Sequence, residues 1–272
     1  MRRLGLGLAT LLGRPRGFFI PYRHAAEVQP GGGYATLEPA FRAAPLEAGL
    51  RMLEGFAPAL LAFGAESPPA PRWAQDWFPG LDGAAAYALV RTLQPRRIVE
   101  VGSGHSTRFM ARALRDGGLD GRIVCIDPAP RAKLLDLPVE WRRATLREAG
   151  LADFAALGPG DFAFFDSSHV LMPGSDVDDA LNRVLPMLPA GAIAHFHDVF
   201  LPDDYPAEWS WRGYNEQQGV APLLTGGGWE ILWASRWVRT RMADRLAAGP
   251  LAALPVAPGA WEASLWLRKL SG

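Results

Sequence analysis

The chain has 272 residues, equal numbers of basic and acidic side chains (28 each), 49% hydrophobic and 21% charged residues, and one cysteine. A chain of this length buries about 73% of its unfolded surface, enough for a full core without staples. The composition excludes wholesale disorder, Cys125 alone excludes an internal disulfide framework or a cysteine-rich zinc site, and the balanced charge offers nucleic acid no bulk attraction.

The single cysteine fits a reducing compartment, so a cytoplasmic location is the expectation. Glycine (30) and proline (24) are abundant and mark turns rather than low complexity. Arginine supplies every basic residue except Lys133 and Lys269, a coding bias rather than a chemical signal.

Met1-Arg2-Arg3 precedes an apolar run from Leu4 to Gly13, then Arg14-Pro15-Arg16. Ten apolar residues cannot span a bilayer, which needs about 20. Arg14 and Arg16 stand where a signal peptide needs a small-residue cleavage site. Residues 1–16 therefore read as a peripheral membrane or partner contact, or as a packed terminus. Pro30-Gly31-Gly32-Gly33 is a breaker, after which Leu37, Phe41, Leu46, Leu50, Leu53, Phe56 and Leu60 recur at helical spacing. Ser67-Pro68-Pro69-Ala70-Pro71 is a stiff linker. The expected division is an N-terminal arm and helical cap over 1–71 and the main domain over 72–272.

Beyond the linker, helix and strand alternate. A helix is predicted over Leu81–Leu93, a strand over Arg97–Val101, a helix over Ser106–Leu114 ended by Gly117-Gly118, and a strand over Arg122–Ile126. A short helix over Lys133–Leu137, a weak strand over Val139–Arg143 and a helix over 145–157 follow. Asp161–Phe165 reads as a buried strand. Ser175 caps a helix shortened by Pro186, and Ala192–Phe196 is the next strand. Trp229–Trp233 and Trp261–Leu267 read as strands around a helical insert near 240–253. This order predicts an α/β fold: a mostly parallel sheet with an antiparallel edge pair and helices on both faces.

Ligands of such sheets sit at the carboxyl ends of the strands, near the switch in strand order. There the sequence places Glu100-Val101-Gly102-Ser103-Gly104-His105-Ser106-Thr107, then Asp127, then Asp166-Ser167-Ser168-His169, then His195-Phe196-His197-Asp198. The glycines let the backbone turn sharply near a ligand, and the next helix offers free N–H groups. Asp127, 25 residues beyond Gly102, is placed to accept ribose hydroxyls. Thr107 replaces the third glycine of a dinucleotide fingerprint, which weakens a nicotinamide cofactor.

The segment Arg97–Phe109 resembles motif I of class I S-adenosylmethionine-dependent methyltransferases, and Asp127 fits the acid closing their second strand. Asp161–Asp198 and the tryptophan-rich stretch from Trp209 to Gln217 are similar to a bacterial branch, the methyltransferase-24-like proteins; the likeness covers about residues 72–268. Gly17–Arg23 resembles an N-terminal segment of some members. The resemblance implies a Rossmann-like, seven-stranded methyltransferase sheet with an N-terminal helical extension. It implies that Gly102 and Gly104 make room for the methionyl part of S-adenosylmethionine, that Ser106 binds its carboxylate, and that Glu100 lies near its amino group. Asp127 would hold the ribose, and Asp166 would close the cofactor site. Asp166 and Asp198 match positions that hold a divalent cation such as magnesium in cation-dependent O-methyltransferases; Val199 stands where those enzymes carry an asparagine ligand. His169 and His197 add nitrogen donors beside them.

Methyl transfer to a hydroxyl also needs a base. His169 is the first candidate, with Asp198 and His197 as orienters, alternative bases or ligands. A histidine after a strand serves equally by binding a backbone carbonyl, and His195 should point into the layer covering the sheet. Seven of the ten tryptophans follow residue 208; those in strands suit packing, while Trp209 and Trp211 suit either a ring-shaped acceptor or a homodimer interface. The leading expectation is O-methylation of a small-molecule or sugar-containing acceptor. An NAD-dependent oxidoreductase and a non-catalytic S-adenosylmethionine-binding or interaction protein are the alternatives.

Overall fold

Short apolar runs become the centre of a seven-stranded sheet. The computed structural model describes every residue except Met1, Pro15, Phe19, Gln29, Pro30, Arg131, Lys133, Leu135 and Gly272, and of Arg2 and Arg3 only the backbone. The helix expected over Lys133–Leu137 and the start of the Pro30 breaker thus fall partly outside the described residues. Strands β1 (Arg97–Val101), β2 (Arg122–Ile126), β3 (Glu140–Arg142), β4 (Phe162–Phe165), β5 (Ile193–Phe196), β6 (Trp229–Ala234) and β7 (Leu265–Lys269) lie in the order β3-β2-β1-β4-β5-β7-β6. All pairings are parallel except those of β7, which runs antiparallel to both β5 and β6. The order reverses between β1 and β4, which opens a crevice at their carboxyl ends.

Every residue of β4 and β5 is buried, as a strand flanked by others and covered on both faces requires. Register places His195 between Phe164 and Trp266. Its ring stacks on Phe164 at 3.7 Å between centroids, and Nε2 pairs with the Ser264 hydroxyl at 3.0 Å. This is a packing role.

Helices α1 (Arg2–Leu11), α2 (Glu38–Ala43), α3 (Leu46–Glu54) and α4 (Ala57–Leu61) precede α5 (Gly80–Leu93). Leu37, Phe41, Leu46, Leu50, Leu53, Leu60 and Phe63 join the same apolar core as the sheet. A side chain at Gly49 would lie 3.1 Å from the Trp233 ring, so α3 seats closely on β6. By contrast Leu4, Leu6, Leu8, Leu11 and Leu12 are exposed. Among the described residues no helix is long and apolar enough to cross a membrane.

Helix α6 (His105–Gly117) begins one residue before its predicted start, because the Thr107 hydroxyl accepts from the Gly104 N–H at 2.9 Å and closes the first turn. Helix packing explains α5: Gly83 lies against the Phe109 ring of α6, where a Cβ would approach to 2.7 Å. The helix expected over 145–157 is two, α7 (Leu146–Ala149) and α8 (Ala152–Ala155), broken at Gly150 with φ +76°. Ser175 caps α9 (Asp176–Asp179), accepting from the Asp178 N–H at 3.1 Å. A π-helical turn (Ala180–Val184) and α10 (Leu185–Met187) carry the helix through Pro186. Lys269 Nζ donates to the carbonyls of Leu185, Pro186 and Leu188 at its end.

Strand β7 starts four residues later than predicted. The backbone N–H groups of Ala263 and Ser264 donate instead to the two carboxylate oxygens of buried Asp82, at 3.0 and 2.9 Å. The 3₁₀ turn Ala207–Arg212, α11 (Glu216–Thr225), α12 (Ser235–Arg241) and α13 (Ala243–Ala247) complete the chain around the last strands.

Candidate active site

The turn after β1 depends on Gly102. Its φ is +79°, and a Cβ there would fall 1.7 Å from the Asp166 carbonyl oxygen, so no side chain fits where the loops after β1 and β4 cross. Below the turn, Glu100 is fully buried. Ser106 and Thr107 donate hydroxyl protons to its two oxygens at 2.5 and 2.6 Å, and Cys125 Sγ approaches at 3.5 Å. Burial pushes the Glu100 carboxyl up to about 7, against the pull of these donors. Ser106, only 2% exposed, spends its hydroxyl on Glu100, and Glu100 underpins the turn from beneath.

At the tip of β2, Asp127 accepts from the Ser103 N–H and from the Ala129 N–H, each at 2.7 Å. A cleft of about 280 Å³ opens here, lined by Gly102, Ser103, Asp127, Asp166 and Ser167 among others. The hydroxyls of Ser103 and Ser167 are buried without a partner, which is the signature of a polar ligand's place. Gly104 lies at the head of α6, outside the cleft lining.

Beside the cleft, four groups from β4 and β5 converge. His169 and Asp198 both adopt left-handed backbone (φ +58° and +54°), strained for residues with side chains. His169 Nε2 lies 3.3 Å from Asp166 Oδ1 and 3.5 Å from Asp198 Oδ2, while Nδ1 pairs with Glu216 Oε2 at 2.8 Å. His197 Nδ1 lies 3.4 Å from Asp166 Oδ1 and 3.6 Å from Asp198 Oδ1; Nε2 pairs with Asp82 Oδ2 at 3.2 Å. Burial alone would lower both imidazoles, but the surrounding carboxylates outweigh it and hold both well above the ordinary range. Burial would raise Asp166, yet His197 and His169 hold it well below the usual carboxylate range. Burial raises Glu216, with His169 opposing. Buried His195 is pushed well below the imidazole range by burial and then by His197.

The fold thus brings together Asp166, His169, His197 and Asp198, and sets Asp127 across the same crevice. Sequence reasoning missed two members, Glu216 and Asp82. They lie 47 and 115 residues from the histidines they hold, so no local spacing reveals them.

These donors fit an octahedral, all-oxygen magnesium site poorly. Two of the four are imidazoles, each already paired to carboxylates, and Val199 supplies no ligand. Among the described residues, no group of three or more His, Cys, Asp or Glu side chains surrounds a common cation position. For S-adenosylmethionine the fit is better: a glycine turn, an acid at the tip of β2 and unpartnered hydroxyls line one cleft.

Strand order, the glycine turn and the acid on β2 match the arrangement of a class I S-adenosylmethionine-dependent methyltransferase domain. Residues 99–199 match the family model described as a methyltransferase domain, Methyltransf_24. No curated protein sequence matches the chain. Among solved structures, it is similar to the SAH-bound methyltransferase PaMTH1 of Podospora anserina, at 16% identity over 93% of this chain and 99% of that one, with a TM-score of 0.43. It is similar also to an O-methyltransferase of Bacillus cereus in complex with SAH, at 18% identity over 73% and 89%, with a TM-score of 0.38.

Proposed function

We propose that this methyltransferase methylates a hydroxyl oxygen of a small-molecule acceptor. One observation carries the reading: buried His169 is held from behind by Glu216 and turns Nε2 toward Asp166, which lines the cofactor cleft. When bound, S-adenosylmethionine supplies an activated methyl group on a sulfonium leaving group. Asp127 binds the ribose hydroxyls, and Ser103 and Ser167 offer their free hydroxyls to polar atoms of the same ligand. The surrounding carboxylates favour the His169 imidazolium, so the acceptor's proton is taken at Nε2 by its neutral fraction, which grows as pH rises. Glu216 at Nδ1 fixes the tautomer and stabilises the imidazolium that forms. Asp198 orients the ring, and His197, tied to Asp82, completes the wall. This chemistry needs no cation.

The test pairs binding with turnover. Calorimetry should give S-adenosylhomocysteine a 1:1 complex and NAD none. His169→Ala should lower kcat by roughly 10² to 10⁴ in an assay of S-adenosylhomocysteine release, with the product's Kd nearly unchanged. Undiminished turnover in that variant would remove the base.

The same proposal places the enzyme in the cytoplasm, a setting that suits its one free, buried cysteine. Exposed Leu4, Leu8 and Leu11, followed by Arg14 and Arg16, support contact of residues 1–16 with an anionic lipid surface. Co-sedimentation with phosphatidylserine vesicles, lost on removing these residues, checks it. Exposed Trp211 favours a homodimer contact, checked by sedimentation velocity.

A further inference from the structure

A second cavity, of about 600 Å³, lies against Tyr214, another side chain that His169 touches. Its walls include Tyr34, Asp204, Tyr205, Trp209, Tyr214 and Gln218. The Tyr214 ring packs on the His169 ring with centroids 4.6 Å apart. His169 therefore contacts one lining residue of each space: Asp166 of the cofactor cleft and Tyr214 of this chamber.

The walls are preorganised. Tyr205 and Trp209 meet Tyr214 edge to face, at 6.1 and 5.9 Å. The Arg212 guanidinium lies 4.1 Å from the Trp209 ring centroid and donates to the Tyr214 hydroxyl at 3.1 Å. The Tyr205 hydroxyl accepts from the Gln217 N–H at 3.2 Å. The N-terminal arm closes one side. The Tyr34 N–H donates to the Pro202 carbonyl at 2.6 Å, and the Gly33 N–H donates to Asp204 Oδ2 at 3.0 Å. Gly33 has φ +89°, and a Cβ there would lie 2.6 Å from the Pro202 oxygen, so this seam admits only glycine.

Chemistry narrows the occupant. Aromatic walls favour a flat or ring-shaped ligand. Asp204 is the one charged group among the described lining residues, and the neighbouring Arg212 guanidinium is engaged with Trp209 and Tyr214, so carboxylates and phosphates are disfavoured. Hydroxyl groups find acceptors and donors in Asp204, the tyrosines and Gln218.

We infer that this chamber is the acceptor site, that it selects uncharged, hydroxylated ring compounds, and that residues 31–34 of the arm form a specificity-determining wall. This rests on the methyltransferase reading of the adjoining cleft.

The test uses the full chain with 2-naphthol and 2-naphthoate as neutral and anionic probes, read by calorimetry. The expected result is binding of 2-naphthol at least about tenfold tighter than 2-naphthoate. Trp209→Ala and Tyr34→Ala should each weaken 2-naphthol about fivefold or more, the scale of a lost aromatic contact with its buried area. S-adenosylhomocysteine affinity should stay near wild type in Tyr34→Ala, because Tyr34 does not line the cofactor cleft. Equal affinity for the two probes, no binding of 2-naphthol, or unchanged affinity in both variants would overturn the inference. Failure of S-adenosylhomocysteine to bind the wild-type chain would instead overturn the reading of the cleft, independently of the naphthol result.

Discussion

Glu100 shows how one side chain sets a pH response. Its carboxyl is fully buried and raised to about 7, above the ordinary 4.5, so the folded chain holds this proton where the unfolded chain has lost it. A raised folded value contributes stability that is fully present below the unfolded value and is lost as pH rises through the folded one. The stability of wild type relative to Glu100→Gln should therefore fall by about 3 kcal/mol between roughly pH 4.5 and 7, then level off. Urea denaturation of both proteins across that range checks it; parallel curves would rule out the assignment. Asp127 works differently, being held in place by two backbone N–H groups. Asp127→Ala should weaken S-adenosylhomocysteine binding about tenfold to a hundredfold by losing charge-assisted hydrogen bonds, as measured by calorimetry.

Among the elements, α5 and β7 meet through one carboxylate. Asp82, in the first turn of α5, takes the N–H groups of Ala263 and Ser264 and pairs with His197. It joins the end of the sheet to the active-site wall. Asp82→Ala would bury two N–H groups and His197 Nε2 without partners. The expected loss is about 3–5 kcal/mol in urea denaturation, with kcat falling as His197 loosens. A stable, fully active variant would show that α5 merely packs there. The arm segment 31–34 has a similar bridging place, sewn by two backbone donors to the loop after β5.

At the scale of the molecule, one cleft lies where strand order reverses, and the loop after β5, the start of α11 and the N-terminal arm wall the aromatic chamber beside it. Metal use is decided by this assembly. With both imidazoles paired to carboxylates, dialysis against EDTA should leave turnover unchanged, and added magnesium should not raise it. A loss of activity restored by a divalent cation would contradict the proposed base.

Strand placement, the Gly102 turn, Asp127 and the cluster of acids and histidines at strand tips were all legible in the sequence, because apolar periodicity and turn chemistry are local. The break at Gly150 is local too, but propensity across 145–157 hid it. The late start of β7 was hidden because its backbone donors go to Asp82, about 180 residues earlier. The same limit hid Glu216 behind His169, the commitment of Ser106 to Glu100, and the closure of the aromatic chamber by Tyr34. Sequence alone determined which residues reach the carboxyl edge of the sheet. Only the tertiary structure decided which of them face one another, since pairings between distant segments follow from strand order and packing rather than from any repeat along the chain.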